Sequence, residues 1–276
     1  MSLLVLHLVR HGAHDGTPGT LAGRDPAVRL SPEGRAEAQT LAKSLEGRPL
    51  ADVVASPQPR TVETAEILAR GRGVTIDAAL DEIDFGPWAG RSFAELEDDP
   101  LWRRWNAERD TAQTPAGERM ADVADRVEGL VAALRDDRPD GAEIALVTHC
   151  DVVRAVLCRA RGLPFSRVFE TEIDTASRTT LALGGDGARV LVVNHKPGGS
   201  AVIPDCEASP GPRTADASSR AVSARAPRPY GAAPARDAAP APQDGGRGHG
   251  SRIAFGVRDD TRGPDSNPPL PGARSP

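Results

Sequence analysis

Residues 3–12 have the sequence LLVLHLVRHG, an apolar run that leads directly into a positively charged pair and a glycine. An apolar run without a polar face is typical of a strand that is buried on both sides in a parallel sheet. His7, with leucine on either side, is predicted to be a core histidine. Because the run ends at Arg10 and His11, this strand is predicted to deliver both side chains at its carboxyl end.

Strands and helices alternate along the chain beyond this run. The predicted strands are 51–55, 74–76 and 144–148, and the predicted helices are 31–45, the segment after Pro57 through Arg70, 117–136 and 151–161. Apolar runs at 179–183 and 189–193 flank a glycine-rich turn and predict a hairpin. We therefore expect an α/β fold, a three-layer sandwich whose mainly parallel sheet has an antiparallel edge strand and helices on both faces.

The composition changes sharply near Gly198. Thirteen of the 25 prolines lie beyond residue 197, among many Ala, Gly, Ser and Arg residues. Such a segment cannot bury enough apolar surface to offset the entropy of ordering it. The sequence therefore predicts a catalytic domain at 1–197 and a Pro/Ala/Gly/Arg-rich disordered tail at 198–276.

Charge and cysteine content limit the classes of partner and compartment. The net charge is −5 and the pI about 5.7, which excludes an overall basic surface for nucleic acid. The apolar start, Met1 to Leu6, is too short for a signal peptide or a membrane span. Cys150 and Cys158 lie eight positions apart in a predicted helix, about 12 Å by helical rise, too far for a disulfide bond. We expect a reduced cytoplasmic protein, monomeric or homodimeric, that binds neither nucleic acid nor membrane.

Four cationic or titratable side chains follow predicted strands. Arg10 and His11 end the first, Arg60 follows the second, and His149 follows the strand 144–148. Ligands of such sheets bind at the carboxyl ends of the strands. Two guanidinium groups and two imidazoles at one edge suit a phosphate dianion, and an unprotonated imidazole can act as a nucleophile.

Structural alternatives exist for each of these residues. Arg10 and His11 could reach solvent from a strand end, and His149 could be a hydrogen-bonded structural histidine. Arg60 could be a solvated residue in the first turn of a helix, although a cation there opposes the helix dipole unless an anion is bound nearby. Metal ligation is not predicted, because His7 and His11 would lie roughly 13 Å apart along a strand.

Four segments together resemble, in order, the motifs of the histidine phosphatase superfamily, which includes the phosphoglycerate mutases. The segments are 8–12 (LVRHG), 56–65 (SPQPRTVETA), 82–90 (EIDFGPWAG) and 147–149 (VTH). The resemblance spans roughly residues 3–195 and has no counterpart for the tail.

The resemblance implies a role for each residue that matches a motif. His11 would be the nucleophile that becomes phosphohistidine, and Arg10, Arg60 and His149 would bind the phosphoryl oxygens. Glu82 would donate a proton to the leaving oxygen and then act as a base on water. No metal or cofactor is implied.

Three expectations concern the surroundings of this set. Glu82 would need a raised pKa, which a partly apolar pocket with Phe85 and Trp88 would provide, although a loop carboxylate can also be simply solvated. Gly12 is expected in the substrate-binding set beside Arg10, Arg60 and His149. His14 could line the pocket mouth and help select the substrate, or be an ordinary loop residue.

Departures from the family pattern bear on the substrate. His14 and Thr17 stand where many members have other polar residues, and Cys150-Asp151 replaces Gly-Gly. The stretch between Glu82 and His149 is short beside that of phosphoglycerate mutases, which cap the site with an insertion, and this favours hydrolysis. The predicted function is a histidine acid phosphatase-like phosphomonoesterase acting on small phosphorylated metabolites. The alternatives are mutase-type phosphoryl transfer and a non-catalytic phosphate-binding regulatory protein.

Overall fold

A computed structural model of the chain describes residues 3–185 and 187–198. Its strands are β1 (Leu4–Arg10), β2 (Leu50–Ala55), β3 (Thr75–Ile76), β4 (Ala142–Thr148), β5 (Arg178–Gly184) and β6 (Gly187–His195). Its α-helices are α1 (Pro32–Ser44), α2 (Pro59–Ala69), α3 (Phe93–Glu97), α4 (Pro100–Ala107), α5 (Met120–Asp136) and α6 (Cys150–Ala160).

The described strands form one mixed sheet in the order β3-β2-β4-β1-β5-β6. The first four in this order are parallel to their neighbours, whereas β5 is antiparallel to β1 and β6 is antiparallel to β5. The prediction of a mainly parallel sheet with an antiparallel edge is confirmed. The edge consists of the predicted hairpin, with β6 outermost.

Helices cover both faces of the sheet, which confirms the three-layer arrangement. Leu6 and Leu8 of β1 belong to one apolar cluster with residues of α5 and α6. Val9, on the opposite face, packs with residues of α1 and α2. Because β1 is buried on both sides, its sequence is apolar at nearly every position.

Local signals explain where the helices begin. Ser31 caps α1 by accepting a hydrogen bond from the Gly34 N–H at 3.1 Å, and Pro32 takes the first helical position. The helix α2 begins at Pro59, with Gln58 at its N-cap position. His149 occupies the N-cap position of α6, directly after β4. The site residues Arg60 and His149 are therefore fixed by helix starts at the edge where β2 and β4 end.

The loop after β1 packs backbone to backbone against the start of α1. A Cβ atom on Gly12 would overlap the Gly34 carbonyl, and one on Gly34 would overlap the Ala13 carbonyl. Glycine at both positions allows this approach, because any side chain would push the loop away from the helix. The segment that follows His11 is thereby held close to α1.

The predicted tail at 198–276 lies outside the described residues, apart from Gly198, and the boundary after residue 197 stays a prediction. None of the described helices is long and apolar enough to cross a membrane. Cys150 and Cys158 are free thiols.

Candidate active site

Three parallel strands end level with one another and bring the predicted residues together. Val9 pairs with Val147 in β4, and Ala55 of β2 pairs with the same Val147. Beyond the strand ends the backbone pairing continues: the His11 N–H donates to the Thr148 carbonyl at 3.0 Å, and the Ser56 N–H donates to the Val147 carbonyl at 3.0 Å. His11, Ser56 and His149 therefore begin their loops at the same edge of the sheet.

His11 is buried and presents an unprotonated nitrogen. Its Nδ1 lies 2.8 Å from the Gly12 carbonyl oxygen, which can only accept, so Nδ1 carries the ring hydrogen. The lone pair is then on Nε2, which accepts a hydrogen bond from Arg60 Nε at 3.4 Å. Burial lowers the pKa of His11 well below its ordinary value, and the guanidinium groups of Arg60 and Arg10 lower it further. A neutral imidazole with an unprotonated Nε2 is the form that can attack phosphorus once a bound phosphate takes over the hydrogen bond from Arg60.

Arg60 holds the centre of the site. Its guanidinium is buried, and Nη2 donates to the Gly23 carbonyl at 2.6 Å and to Nδ1 of His149 at 3.1 Å. The structural alternative of a solvated first-turn arginine is therefore wrong. The positive charge is held beside His11 by a helix N-terminus, where it favours an anion.

Arg10 stands at the end of β1 with its Nη1 donating to the Ile173 carbonyl at 2.5 Å. Its Nε is buried and has no hydrogen-bond partner among the described residues. A buried donor of this kind costs about 1–3 kcal/mol unless a ligand or water accepts from it. Arg10 can thus offer a donor to an oxyanion next to His11.

His149 faces His11 across the site. Their ring centroids lie 5.3 Å apart at an interplanar angle of 64°. His149 is fully buried, and burial together with Arg60 lowers its pKa well below the ordinary value. The two imidazoles therefore form a neutral pair between the arginines.

Glu82 completes the predicted set. Its side chain is buried, with Oε1 accepting from the Ile83 N–H at 3.0 Å and Oε2 lying 3.9 Å from Nδ1 of His149. Burial raises the pKa of Glu82 to about 7, and the Asp151 carboxylate contributes to the increase. The alternative of a solvated loop carboxylate is wrong. Phe85 and Trp88 are also buried, but they belong to the apolar core and pack on Trp102.

Gly12 and His14 flank the nucleophile. The Gly12 N–H donates to Thr64 Oγ1 at 3.2 Å and its carbonyl faces His11, so both polar groups of its backbone have partners within the protein. The half-buried His14 ring lies 5.6 Å from that of His11, centroid to centroid. Because its Nδ1 accepts from the Gly16 N–H at 3.2 Å, its hydrogen is on Nε2. The structure brings His14 to the nucleophile; its part in substrate selection stays a prediction.

Several polar residues around the site were not singled out from the sequence. Asp151, in the first turn of α6, is buried and pairs with Arg109 at 3.3 Å and Arg154 at 3.2 Å. Ser56 and Asp81 contact each other and surround His149. The replacement of Gly-Gly by Cys150-Asp151 was the available signal for Asp151. The sequence carried no signal for Arg109, because it lies 42 positions from its partner Asp151.

No group of three or more His, Cys, Asp or Glu side chains that could hold a metal ion occurs within residues 3–185 and 187–198. The positive charge that could face a phosphate at this edge of the sheet comes from Arg10 and Arg60. Metal independence itself stays a prediction.

Comparisons with known proteins agree with this arrangement. Residues 6–196 match the sequence model of the histidine phosphatase superfamily (branch 1). Phosphoserine phosphatase 1 of Hydrogenobacter thermophilus is 31% identical over 185 residues, which are 65% of this chain and 86% of that protein. A protein of Salmonella choleraesuis named as a probable phosphoglycerate mutase is 29% identical over 167 residues, 59% of this chain and 77% of that protein.

Among solved structures, the mycobacterial glucosyl-3-phosphoglycerate phosphatase superposes with a TM-score of 0.63 and 26% sequence identity. The superposition covers 70% of this chain and 99% of that one. Similarity to proteins named as phosphatases supports a phosphatase enzyme. With a family match over most of its length and the same fold, the chain belongs to the histidine phosphatase superfamily.

Proposed function

We propose that the protein is a phosphomonoesterase that hydrolyses small phosphorylated metabolites through a phosphohistidine on His11. One observation carries the proposal: Nε2 of His11 is unprotonated and faces Arg60 and His149 in a buried site beside the Arg10 guanidinium. A phosphate monoester bound there would lie with its phosphorus in front of the lone pair. Arginine donors would hold its equatorial oxygens.

In the first step Nε2 of His11 forms a bond to phosphorus while the bond from phosphorus to the ester oxygen breaks. The leaving oxygen takes the electron pair of that bond and a proton from the Glu82 carboxyl, so that a neutral alcohol departs. Arg10, Arg60 and His149 stabilise the charge on the three transferred oxygens. The products are the alcohol, a phosphohistidine and an ionised Glu82.

In the second step the Glu82 carboxylate accepts a proton from water as the water oxygen attacks phosphorus. The bond between phosphorus and Nε2 breaks, its electron pair returns to His11, and inorganic phosphate leaves. A pKa of about 7 suits both steps, because near neutral pH each form of Glu82 is populated. The charges needed come from side chains, so we propose that no metal or cofactor is required and that EDTA leaves the activity unchanged.

The proposed substrate class is supported by the two arginines at the site and by the names of the relatives. Proteins similar to this chain are named for phosphoserine and for glucosyl-3-phosphoglycerate, both small phosphate monoesters. Assays with these two compounds, 3-phosphoglycerate, sugar phosphates and α-ribazole 5′-phosphate would rank the candidate substrates by kcat/KM.

We propose that the protein is a cytoplasmic monomer or homodimer. Light scattering on the purified protein would measure its mass.

Trapping labelled phosphate on the protein tests the mechanism. After brief mixing with a ³²P-labelled substrate, we expect acid-labile, alkali-stable label that is absent in His11→Ala and retained in His195→Ala, a control histidine on β6. A chain that binds the ester but is never labelled would be the non-catalytic phosphate-binding protein. Interconversion of 2- and 3-phosphoglycerate with little free phosphate would show the mutase reaction, which the similarity to the Salmonella protein favours.

A further inference from the structure

A chain of polar contacts runs behind His149 and ends on a carboxylate. On one side of the ring, Arg60 Nη2 lies 3.1 Å from Nδ1. On the other, Nε2 lies 2.8 Å from Ser56 Oγ, and that oxygen lies 3.2 Å from Asp81 Oδ1. All of these side chains are buried. Neither Ser56 nor Asp81 takes part in the steps proposed above.

The chemistry of its members fixes the direction of this chain. A guanidinium only donates, so Nδ1 of His149 must be the acceptor and the hydrogen of the neutral ring must be on Nε2. Nε2–H then donates to the Ser56 hydroxyl, which in turn donates its own hydrogen to Asp81. The backbone N–H of Gln58 also donates to the Ser56 oxygen, at 3.4 Å, and this agrees with an oxygen that gives its hydrogen to Asp81.

Asp81 is placed to serve as the negative end of the chain. Its Oδ1 also accepts from Gln58 Nε2 at 2.9 Å and from the Glu82 N–H at 2.9 Å, and its Oδ2 lies 3.5 Å from Arg24 Nε. Three donors on one oxygen are the environment of an ionised carboxylate. The same carboxylate thereby contacts the backbone of Glu82 and, through the Ser56 hydroxyl, the ring of His149.

The charges around the ring show why a carboxylate is needed here. Four groups disfavour a positive charge on His149: Arg60 on α2, His11 directly after β1, Arg126 on α5 and Arg10 at the end of β1. Two carboxyl groups approach the ring at 3.9 Å, Asp81 at Nε2 and Glu82 at Nδ1. Glu82 is uncharged when it acts as an acid. Asp81 is then the negative group beside the imidazole.

We propose that Asp81 is a positioning residue of the phosphoryl-transfer site, acting on His149 through the Ser56 hydroxyl. Together with Arg60, which donates to Nδ1, it keeps the hydrogen of the resting ring on Nε2. When a phosphate monoester binds as its monoanion, its acidic P–O–H hydrogen passes to Nδ1, which then donates it to the same phosphoryl oxygen, and Asp81 stabilises the positive ring. The kinetic part of this inference rests on the proposed function, whereas the proton position does not.

Three variants test the kinetic part. Asp81→Asn and Ser56→Ala each break the chain, and Asp84→Asn is the matched control because Asp84 also lies 3.5 Å from Arg24 but is half exposed. We expect kcat to fall about tenfold to a hundredfold in the first two, the range for a lost hydrogen bond to a charged group, with KM less affected. In the control kcat should stay within about twofold.

The double variant Ser56→Ala/Asp81→Asn separates positioning from general damage. If both residues act through one chain, its kcat should be no lower than that of the worse single variant. The pH profile of kcat should also shift in both single variants and not in Asp84→Asn. Additive losses, or Asp81→Asn kinetics equal to those of the control, would overturn the inference while leaving phosphohistidine formation on His11 intact.

A ¹⁵N NMR measurement of the His149 ring tests the proton position without turnover. We expect the Nε2–H tautomer in the wild-type protein and a mixture of tautomers in Ser56→Ala, with the signal assigned by its loss in His149→Gln. A wild-type ring protonated on Nδ1 would refute the inference, whether or not the variants fold. If the wild-type protein forms no phosphohistidine, the proposed function is refuted instead. The tautomer of His149 then decides the inference about Asp81.

Discussion

Glu82 illustrates, at the scale of one residue, how the fold prepares a side chain for two opposite tasks. A carboxyl with an ordinary pKa would be ionised at neutral pH and could not protonate a leaving oxygen. Burial, with Asp151 nearby, raises the pKa of Glu82 to about 7. Asp151 is itself held by Arg109 and Arg154, so its charge is compensated locally while its field still acts on Glu82.

The nature of the leaving group reports on Glu82 directly. In Glu82→Gln we expect kcat/KM for an alkyl phosphate to fall about 10²- to 10⁴-fold, because no acid protonates the departing oxygen. For p-nitrophenyl phosphate, whose leaving group is stable as an anion, the loss should be much smaller. Steady-state kinetics with both substrates measures the ratio. Equal losses for the two would show that Glu82 is not the acid.

The same residue should make stability depend on pH. Because the folded pKa of about 7 exceeds the ordinary value of 4.5, the folded state holds a proton that the unfolded state loses between these values. The contribution of Glu82 to stability should therefore fall as pH rises from about 4.5 to 7, a loss that Glu82→Gln avoids. We expect the Tm of Glu82→Gln to exceed that of the wild type at pH 8, and the difference to be smaller at pH 5.

The exposed Glu97→Gln on α3 serves as the control for that comparison, and its Tm should follow the wild type at both pH values. A Glu82→Gln protein that is less stable than the wild type at pH 8 would mean that the carboxyl is not under strain in its charged form.

At the scale of elements, the close contact between the loop after β1 and the start of α1 should make stability sensitive to substitution there. A side chain on Gly34 would overlap the Ala13 carbonyl, whereas one on Gly129, inside α5, would meet open space. We expect Gly34→Ala to lower the free energy of unfolding by about 1–3 kcal/mol or more. Gly129→Ala should raise it by up to about 1 kcal/mol, because alanine is the better helix former.

Urea unfolding of the two alanine variants measures this difference, and the activity of Gly34→Ala tests its consequence for the site. If the loop moves away from α1, His11 moves with it and kcat should fall alongside stability. Equal stability of the two variants would mean that the loop and helix separate easily.

The sequence predicted those elements and site residues whose signals are local. The apolar run of β1, the Ser31-Pro32 start of α1 and the ends of three strands each depend on neighbouring positions, and all were found. The polar contacts that link His149, Ser56 and Asp81 were not predicted. Ser56 lies 25 positions from Asp81 and 93 from His149, and the order of the strands in the sheet brings them together. The family resemblance predicted Glu82 but not the nearby carboxylate of Asp151, because many members of the family have glycine at that position.

At the scale of the whole molecule, the described contacts that support the site extend to the end of the sheet. The strand β6 ends at His195, and Lys196 Nζ still contributes by pairing with Glu37 Oε1 at 2.8 Å. Glu37 Oε2 accepts from the Ala13 N–H at 2.9 Å, in the loop that follows His11. The family match also ends at residue 196. The described contacts of the site and its supporting loop thus extend to Lys196.

We therefore expect a protein that ends at Gly198 to keep kcat/KM within about twofold and Tm within about 2 °C of the full chain, as an independently folding domain should. A protein that ends at Val193 is the informative comparison, because it loses the Lys196–Glu37 pair and the bonds between Asn194 and Asp174. Its Tm should fall, and its kcat with it, since the loop after His11 loses part of its support. If the protein that ends at Gly198 lost activity, the predicted boundary after residue 197 would be wrong, and the segment beyond it would belong to the enzyme.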